Sequence, residues 1–205
     1  MAYRFGVKAT GAYTDHFTFL DGDPKKVTNL DRSVTVGINP PDRVFFAGRA
    51  IDPTHLPTRL RPMGRRKKMG DLIGSLTGTL CSEKVKAIIE TYEPGVHAFY
   101  PIMFEWKNGV QDQGHYIWII QNEIKGLHSK LIDPPYTGPN DYWDGGDIIQ
   151  YPNGKVVFSK EKVGNAHAWS DPQLSRAKYV SDELANAFFE AEVSGFAPGR
   201  HVDVV

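Results

Sequence analysis

Cysteine is almost absent from this chain of 205 residues, in which Cys81 is the single example. One thiol cannot form an internal disulfide, and it excludes zinc sites built from several cysteines. Long apolar runs are also missing, because the densest runs, residues 97–104 and 116–120, fall far short of the roughly 20 residues that a membrane helix needs. The first residues lack the apolar core of a signal peptide. These absences predict a cytoplasmic protein that does not bind a membrane.

An excess of charge of either sign is lacking too, since 24 Lys and Arg residues balance 24 Asp and Glu residues. This balance argues against bulk attraction to nucleic acid or to anionic lipid. It hides a split along the chain, however. Residues 1–100 contain 15 basic and 10 acidic residues, whereas residues 101–205 contain 9 basic and 14 acidic residues. Electrostatic recognition of a partner by one half of the chain therefore remains open.

Sequence motifs for catalysis and for metal binding are missing. None of the seven histidines forms a pair at helix or strand spacing, and no phosphate-binding glycine loop or nucleophile elbow occurs. Asp141, Asp144 and Asp147 are three residues apart, rather than two as in a calcium loop. We therefore predict no metal, no cofactor and no enzymatic activity. An alternative is an enzyme of unrecognised type with a site near Cys81. This cysteine precedes a predicted helix and could act with His97. The other interpretation is that Cys81 is a small buried side chain.

Two helices and a hairpin give the clearest local signals. Ser82 is a good N-cap and is followed by an apolar stripe at helical spacing, and Ser181 opens a second helix that Gly195 is expected to end. Between these helices, residues 96–106 and 116–120 are aromatic and β-branched, which predicts two strands joined by a glycine-containing turn.

The first 68 residues are predicted to consist of strands and loops. Residues 53–62 contain three prolines, which forbid a regular helix there and favour a linker or lid. Strands with two to three helices that do not alternate favour an α+β fold with a mixed, mostly antiparallel sheet. We divide the chain into a strand-rich region, 1–68, that could belong to the same domain as the rest, and an α+β domain, 69–205. The predicted strands of the first region are Tyr13–Leu20, Val34–Ile38 and Val44–Ala47.

The best candidate for a binding surface is an acidic and aromatic segment, residues 133–150, which contains no Lys or Arg. Tyrosine and tryptophan are enriched at binding hot spots, and carboxylates around them would steer a basic partner. The alternative is a loop whose aromatic side chains seal the edge of the core. The candidate partner-binding residues are Asp133, Tyr136, Asp141, Tyr142, Trp143, Asp144 and Asp147.

A basic segment, residues 59–68, is the second candidate, because it contains six Lys and Arg residues and no acid. It could contact phosphate or an acidic partner, and nucleic-acid binding through this segment is a further alternative function. The other interpretation is a solvated loop. The secondary partner-binding candidates are Arg59, Arg61, Arg65 and Arg66.

Two blocks of the sequence resemble a known family. The first joins Asp71, the helix start at residues 82–90 and the strand at residues 95–101; the second joins residues 178–187 to residues 194–196. Together they resemble the DUF1629-type, or Imm11-like, immunity proteins of bacterial polymorphic toxin systems, over roughly residues 70–197. The resemblance implies a cytoplasmic antitoxin that binds a cognate secreted toxin domain and occludes its active site without catalysis. It implies no catalytic residues. The resemblance weakens over residues 1–65 and over the insert at residues 134–146, and we expect partner specificity there because variable loops on a fixed scaffold commonly carry recognition.

Overall fold

The computed structural model describes residues 1–8, 17–31, 48–63, 68–75, 78–135, 154–174 and 177–205. These residues form thirteen short strands, three α-helices and several single turns of 3-10 helix. The strands are β1 (Ala2–Arg4), β2 (Phe17–Phe19), β3 (Thr28–Asn29), β4 (Ile51–Asp52), β5 (Arg59–Pro62), β6 (Leu72–Ser75), β7 (Gly78–Ser82), β8 (Ala98–Glu105), β9 (Gln111–Ile119), β10 (Val157–Phe158), β11 (Ala168–Asp171), β12 (Ala177–Ser181) and β13 (His201–Val204). The helices are α1 (Glu83–Tyr92), α2 (Lys160–Val163) and α3 (Asp182–Glu190).

The described part of the chain is mostly β, and the predicted α+β class is therefore wrong. One sheet has six strands in the order β2-β5-β8-β9-β7-β6, a second has five in the order β10-β13-β1-β12-β11, and β3 pairs with β4. The three helices contain only 10, 4 and 9 residues. Capped helices give a clear sequence signal, whereas strands of two to five residues are too short to show a clear alternation. The sequence pattern therefore indicates a larger share of helix than the fold contains.

The hairpin of β8 and β9 is the centre of the six-stranded sheet. Strand β9 runs antiparallel to its two neighbours, β8 and β7, and β2 runs antiparallel to β5. The pairing of β5 with β8 is parallel. Pro101 lies within β8 opposite Tyr116, and β5 pairs further along, at Met103 and Phe104. Pro101 therefore lies outside the part of β8 that pairs with β5, so its lack of an N–H removes no hydrogen bond from that pairing. A register shift follows between Ile102 and Phe104.

The proline-rich segment at residues 53–62 is not the predicted linker or lid. Pro53–His55 form a single 3-10 turn, and Arg59–Pro62 form the interior strand β5, whose Leu60 is fully buried. Of the three strands predicted in the first region, only β2 lies among the described residues; residues 34–38 and 44–47 lie outside them.

Three apolar clusters lie on the faces of the two large sheets. One face of the six-stranded sheet packs Leu80, Ile117 and Phe104 against the segment that contains Val27 and Ile51. The opposite face joins α1, α3 and one face of the five-stranded sheet in a central cluster. The far face of the five-stranded sheet packs against residues from the segments before and after β10. Helices α1 and α3 therefore belong to the layer in which the two sheets meet.

Both long helices begin where the sequence predicts, but α3 ends early. The hydroxyl of Ser82 accepts a hydrogen bond from the N–H of Val85, and that of Ser181 accepts one from the N–H of Leu184, as N-caps do. Helix α3 ends at Glu190 rather than at the turn before Gly195. The N–H of Val193 donates to the carbonyl of Phe188 at 2.9 Å, and Glu192 has a φ of 49°, so a glutamate occupies the left-handed position at which Gly195 was expected.

Candidate partner-binding surface

Of the seven candidate residues in the acidic and aromatic segment, the structure describes Asp133, which is exposed. Its backbone N–H donates to the carbonyl of Lys155 at 3.0 Å, and the N–H of Lys155 donates back at 2.7 Å. The Lys155 ammonium also lies 3.6 Å from the carboxylate of Asp203 on β13. These contacts hold the two ends of the segment between Asp133 and Lys155 side by side, next to the five-stranded sheet. Tyr136, Asp141, Tyr142, Trp143, Asp144 and Asp147 lie outside the described residues.

The two described arginines of the basic candidate, Arg59 and Arg61, are paired within the protein. Arg59 and Arg61 share the outward face of β5, and the Arg59 guanidinium lies 3.4 Å from Asp21 and 3.8 Å from Glu105. Arg61 forms an ion pair with the same glutamate. Intramolecular carboxylates therefore offset two of the cations that a phosphate would need. Arg65 and Arg66 lie outside the described residues.

A cluster around Asp71 joins the ends of α1 and α3. The carboxylate accepts hydrogen bonds from the Ser82 hydroxyl at 2.9 Å, the Ser194 hydroxyl at 2.6 Å and the Ser194 N–H at 2.9 Å, and it lies 3.0 Å from the Lys84 ammonium. Burial raises the pKa of Asp71, but these hydrogen bonds outweigh it and lower the pKa to about 2. Asp71, Ser82 and Ser194 all belong to the blocks that resemble the immunity family. These residues therefore hold the scaffold together.

A second buried cluster surrounds Glu93 at the end of α1. Its carboxylate accepts hydrogen bonds from the Asn122 amide and the Ala168 N–H, both at 2.8 Å, and from the His167 N–H at 3.0 Å. His97 Nδ1 accepts the Gln121 N–H at 3.2 Å, so its Nε2 carries the proton and donates to Glu93 at 2.8 Å. Burial raises the pKa of Glu93, but the hydrogen bonds from His97 and from the backbone lower it below the usual value.

Sequence reasoning missed the role of Glu93. It placed His97 beside a possible nucleophile, whereas the structure pairs this histidine with the carboxylate four residues before it. The only signal was a glutamate just before Pro94-Gly95, at the end of a predicted helix and four residues from a histidine. The carboxylate joins α1, the end of β9 and the start of β11, so the arrangement supports the fold.

Cys81 lies in the central apolar cluster and is fully buried. Burial raises the pKa of its thiol, which therefore stays protonated at neutral pH. Within the described residues no hydrogen bond joins this thiol to a histidine. A reactive cysteine needs an accessible thiolate, so this geometry favours the reading of Cys81 as a small core side chain.

Lys178 is a half-buried residue with a desolvated amine that the sequence pattern did not single out. It lies on β12 and donates from Nζ to the hydroxyl of Thr79 on β7 at 3.1 Å, which links the two large sheets. Burial lowers the pKa of this amine to about 8.

The described residues contain no group of three or more His, Cys, Asp or Glu side chains placed to hold a metal ion. Among the described helices, none combines the length and the apolar character required to cross a bilayer.

The described polar clusters thus define a protein whose scaffold is held together by the carboxylates of Asp71 and Glu93. A family model described as "Immunity protein family (Imm11)" matches residues 8–203. The chain belongs to this family, as the blocks around Asp71 and Ser181 indicate, and the match extends beyond them through most of the first 68 residues. No curated protein matches the sequence.

Proposed function

We propose that this protein is a non-catalytic antitoxin of a bacterial polymorphic toxin system, which binds a cognate secreted toxin domain in the cytoplasm and occludes its active site. The observation that carries the proposal is membership of the immunity protein family across residues 8–203. The full burial of Cys81, whose thiol pKa is raised, agrees with a core side chain rather than a nucleophile at this position.

The acidic and aromatic segment is the proposed toxin contact. It holds Asp133, Asp141, Asp144 and Asp147 with no Lys or Arg, and its aromatic residues can bury large area with few rotatable bonds. The pairing of Asp133, the first residue of the segment, with Lys155, beyond its last residue, holds these two flanking positions together beside β13. A recognition segment anchored on a rigid scaffold is a common arrangement in binding proteins. Steering by the acids gives rapid, salt-sensitive association with a basic toxin surface.

A paired substitution tests this contact. Trp143→Ala combined with Asp144→Ala is expected to weaken binding of the toxin domain encoded next to this gene by about 100-fold or more, because hot-spot residues each contribute about 2 kcal/mol. Isothermal titration calorimetry measures the affinity of the wild-type and variant proteins.

The matched control removes an exposed apolar residue of the β8–β9 turn and a half-buried acid near the start of β9. Val110 is 55% exposed there, and Asp112 lies two residues away. Val110→Ala with Asp112→Ala should leave affinity within about twofold, as exposed residues outside an interface do. Unchanged affinity of the Trp143 and Asp144 variant would remove this segment from the interface.

A further inference from the structure

We propose that the carboxyl end of α3 is a second docking surface for the toxin, formed by Phe189, Glu190 and Glu192. Its chemistry fits a basic protein surface with an apolar recess that receives the Phe189 ring. This inference rests on the proposed antitoxin function and extends it to a part of the scaffold that the sequence did not single out.

Phe189 is the exposed aromatic of this surface. Its side chain is 49% exposed, although the neighbouring Phe188 is fully buried. The ring contacts Phe196 at a centroid distance of 5.3 Å, and Phe196 is itself packed on Phe188 at 5.1 Å. Phe189 therefore has one face supported by the core and the other turned to solvent. A ring held in this way is ready to bind a partner without losing much side-chain freedom.

The charges beside Phe189 are unfavourable for the isolated helix. Glu190 lies in the last turn of α3, where the helix dipole disfavours a carboxylate, and that turn contains no basic residue. Glu192 follows two residues later. The Lys84 ammonium is nearby, but it donates to the carbonyls of Ala191 and Glu192 and pairs with Asp71. Among the described residues no cation forms an ion pair with the side chain of Glu190 or Glu192.

The backbone adds a third cost at the same place. Glu192 adopts a φ of 49°, and within the described residues it is the one residue other than glycine with a positive φ. Its N–H donates to Phe189 and the next N–H donates to Phe188, which is the helix ending that normally places glycine at this position. A glutamate here is less stable than a glycine would be.

Three destabilising features thus coincide within four residues: an exposed ring, uncompensated carboxylates and a left-handed glutamate. Such features persist where a binding function requires them. Charge complementarity identifies the occupant, because Glu190 and Glu192 follow Phe189 and, among the described residues, no cation forms an ion pair with either side chain, whereas Asp182 at the other end of the helix pairs with the Met1 amine. The occupant is therefore a basic face of the toxin, since the family assigns this protein a toxin as its partner.

Three single substitutions test the surface against the toxin domain encoded next to this gene. Phe189→Ala should weaken binding about tenfold or more, the effect of losing a hot-spot aromatic. Glu190→Lys should lower the association rate about tenfold at low salt, with a smaller effect at high salt. Glu192→Gly should change two quantities in opposite directions: a Tm higher by about 2–4 °C and a weaker affinity.

Two of the changes have matched controls in and beside the β8–β9 turn, with Val110→Ala for the apolar loss and Asp112→Lys, near the start of β9, for the charge reversal. Both should stay within about twofold of the wild-type affinity. A normal Tm for Phe189→Ala shows that the variant is folded.

The possible failures are distinguishable. If the wild-type protein binds the toxin and the α3 variants bind as tightly, or if Asp112→Lys weakens binding as much as Glu190→Lys, the α3 surface is contradicted while the antitoxin function stands. If the folded wild-type protein does not bind the toxin, both proposals are contradicted.

Discussion

Asp71 is a residue on which distant parts of the scaffold converge. It belongs to the turn before β6, yet it bonds to the N-cap of α1 and to Ser194 beyond α3. The Ser194 hydroxyl also accepts a hydrogen bond from the Asp71 N–H at 2.9 Å. The resemblance to the immunity family selected Asp71 and Ser194 correctly, but nothing in the sequence shows that residues 123 positions apart are in contact. That contact depends on the tertiary fold.

Asp71→Asn should lower the free energy of unfolding at pH 7 by about 2 kcal/mol, the equivalent of the shift from 3.8 to about 2. The carboxyl pKa is lower in the folded state, so its stabilisation is present above about pH 4 and is lost as the pH falls towards 2. Urea unfolding of both proteins from pH 7 down to pH 2 measures the difference, which should shrink across that window.

Asp203→Asn is the control for this measurement, because Asp203 makes a surface ion pair with Lys155 and should contribute within about 0.5 kcal/mol. A difference between wild type and Asp71→Asn that is constant from pH 7 to pH 2 would contradict the assigned role of the carboxylate.

At the scale of elements, the strongest local signals were read correctly. Ser82 and Ser181 cap helices where predicted, and the aromatic segments on either side of the Gly109 turn form β8 and β9. Each of these depends on neighbouring residues alone. The sequence does not predict the end of α3, because Glu192 takes a conformation that glycine normally takes. It does not predict β5 either, because the three prolines of residues 53–62 favour a linker.

Lys178 connects one element of each sheet and gives a prediction at this scale. Its amine pKa is lowered from 10.5 to about 8 by burial, so the folded protein loses the proton before the unfolded chain does. The contribution of Lys178 to the free energy of unfolding should therefore rise as the pH increases from about 8 to about 10, against the opposite contribution of the buried Cys81 thiol, whose pKa is raised. Lys178→Met should abolish this rise and should be at least as stable as wild type below pH 8, since an apolar side chain avoids burying a charge. Denaturant unfolding at several pH values measures both effects.

Lys107→Met, at an exposed position of the β8–β9 turn, is the matched control and should keep the rise. If Lys178→Met kept the wild-type pH dependence as well, the amine would not be the group responsible.

At the scale of the whole molecule, the two ends of the chain meet. Strand β1 lies between β12 and β13, so residues 2–4 pair with residues near the carboxyl end, while β2 and β5 from the same first region enter the other sheet. The bidentate pair of Arg49 and Glu123 adds a further connection. We propose on this basis that residues 1–68 fold together with residues 69–205. A sequence pattern does not predict pairings of strands this short over such separations, which is why the fold class was misassigned.

Recognition of the partner depends on surface residues. Composition identified an acidic and aromatic segment, and the structure adds an acidic and aromatic helix end on α3. Neither is visible as a periodic pattern, because binding residues are selected by the partner rather than by the core.

The most direct test of the antitoxin account is survival of a bacterial host that expresses the toxin domain encoded next to this gene. Colony counts are compared for the toxin alone, the toxin with the wild-type protein, and the toxin with a variant carrying both Trp143→Ala and Phe189→Ala. The account predicts that the wild-type protein restores survival to the level without toxin and that the variant, although folded and equally abundant, does not. Equal killing with and without the folded wild-type protein would contradict it.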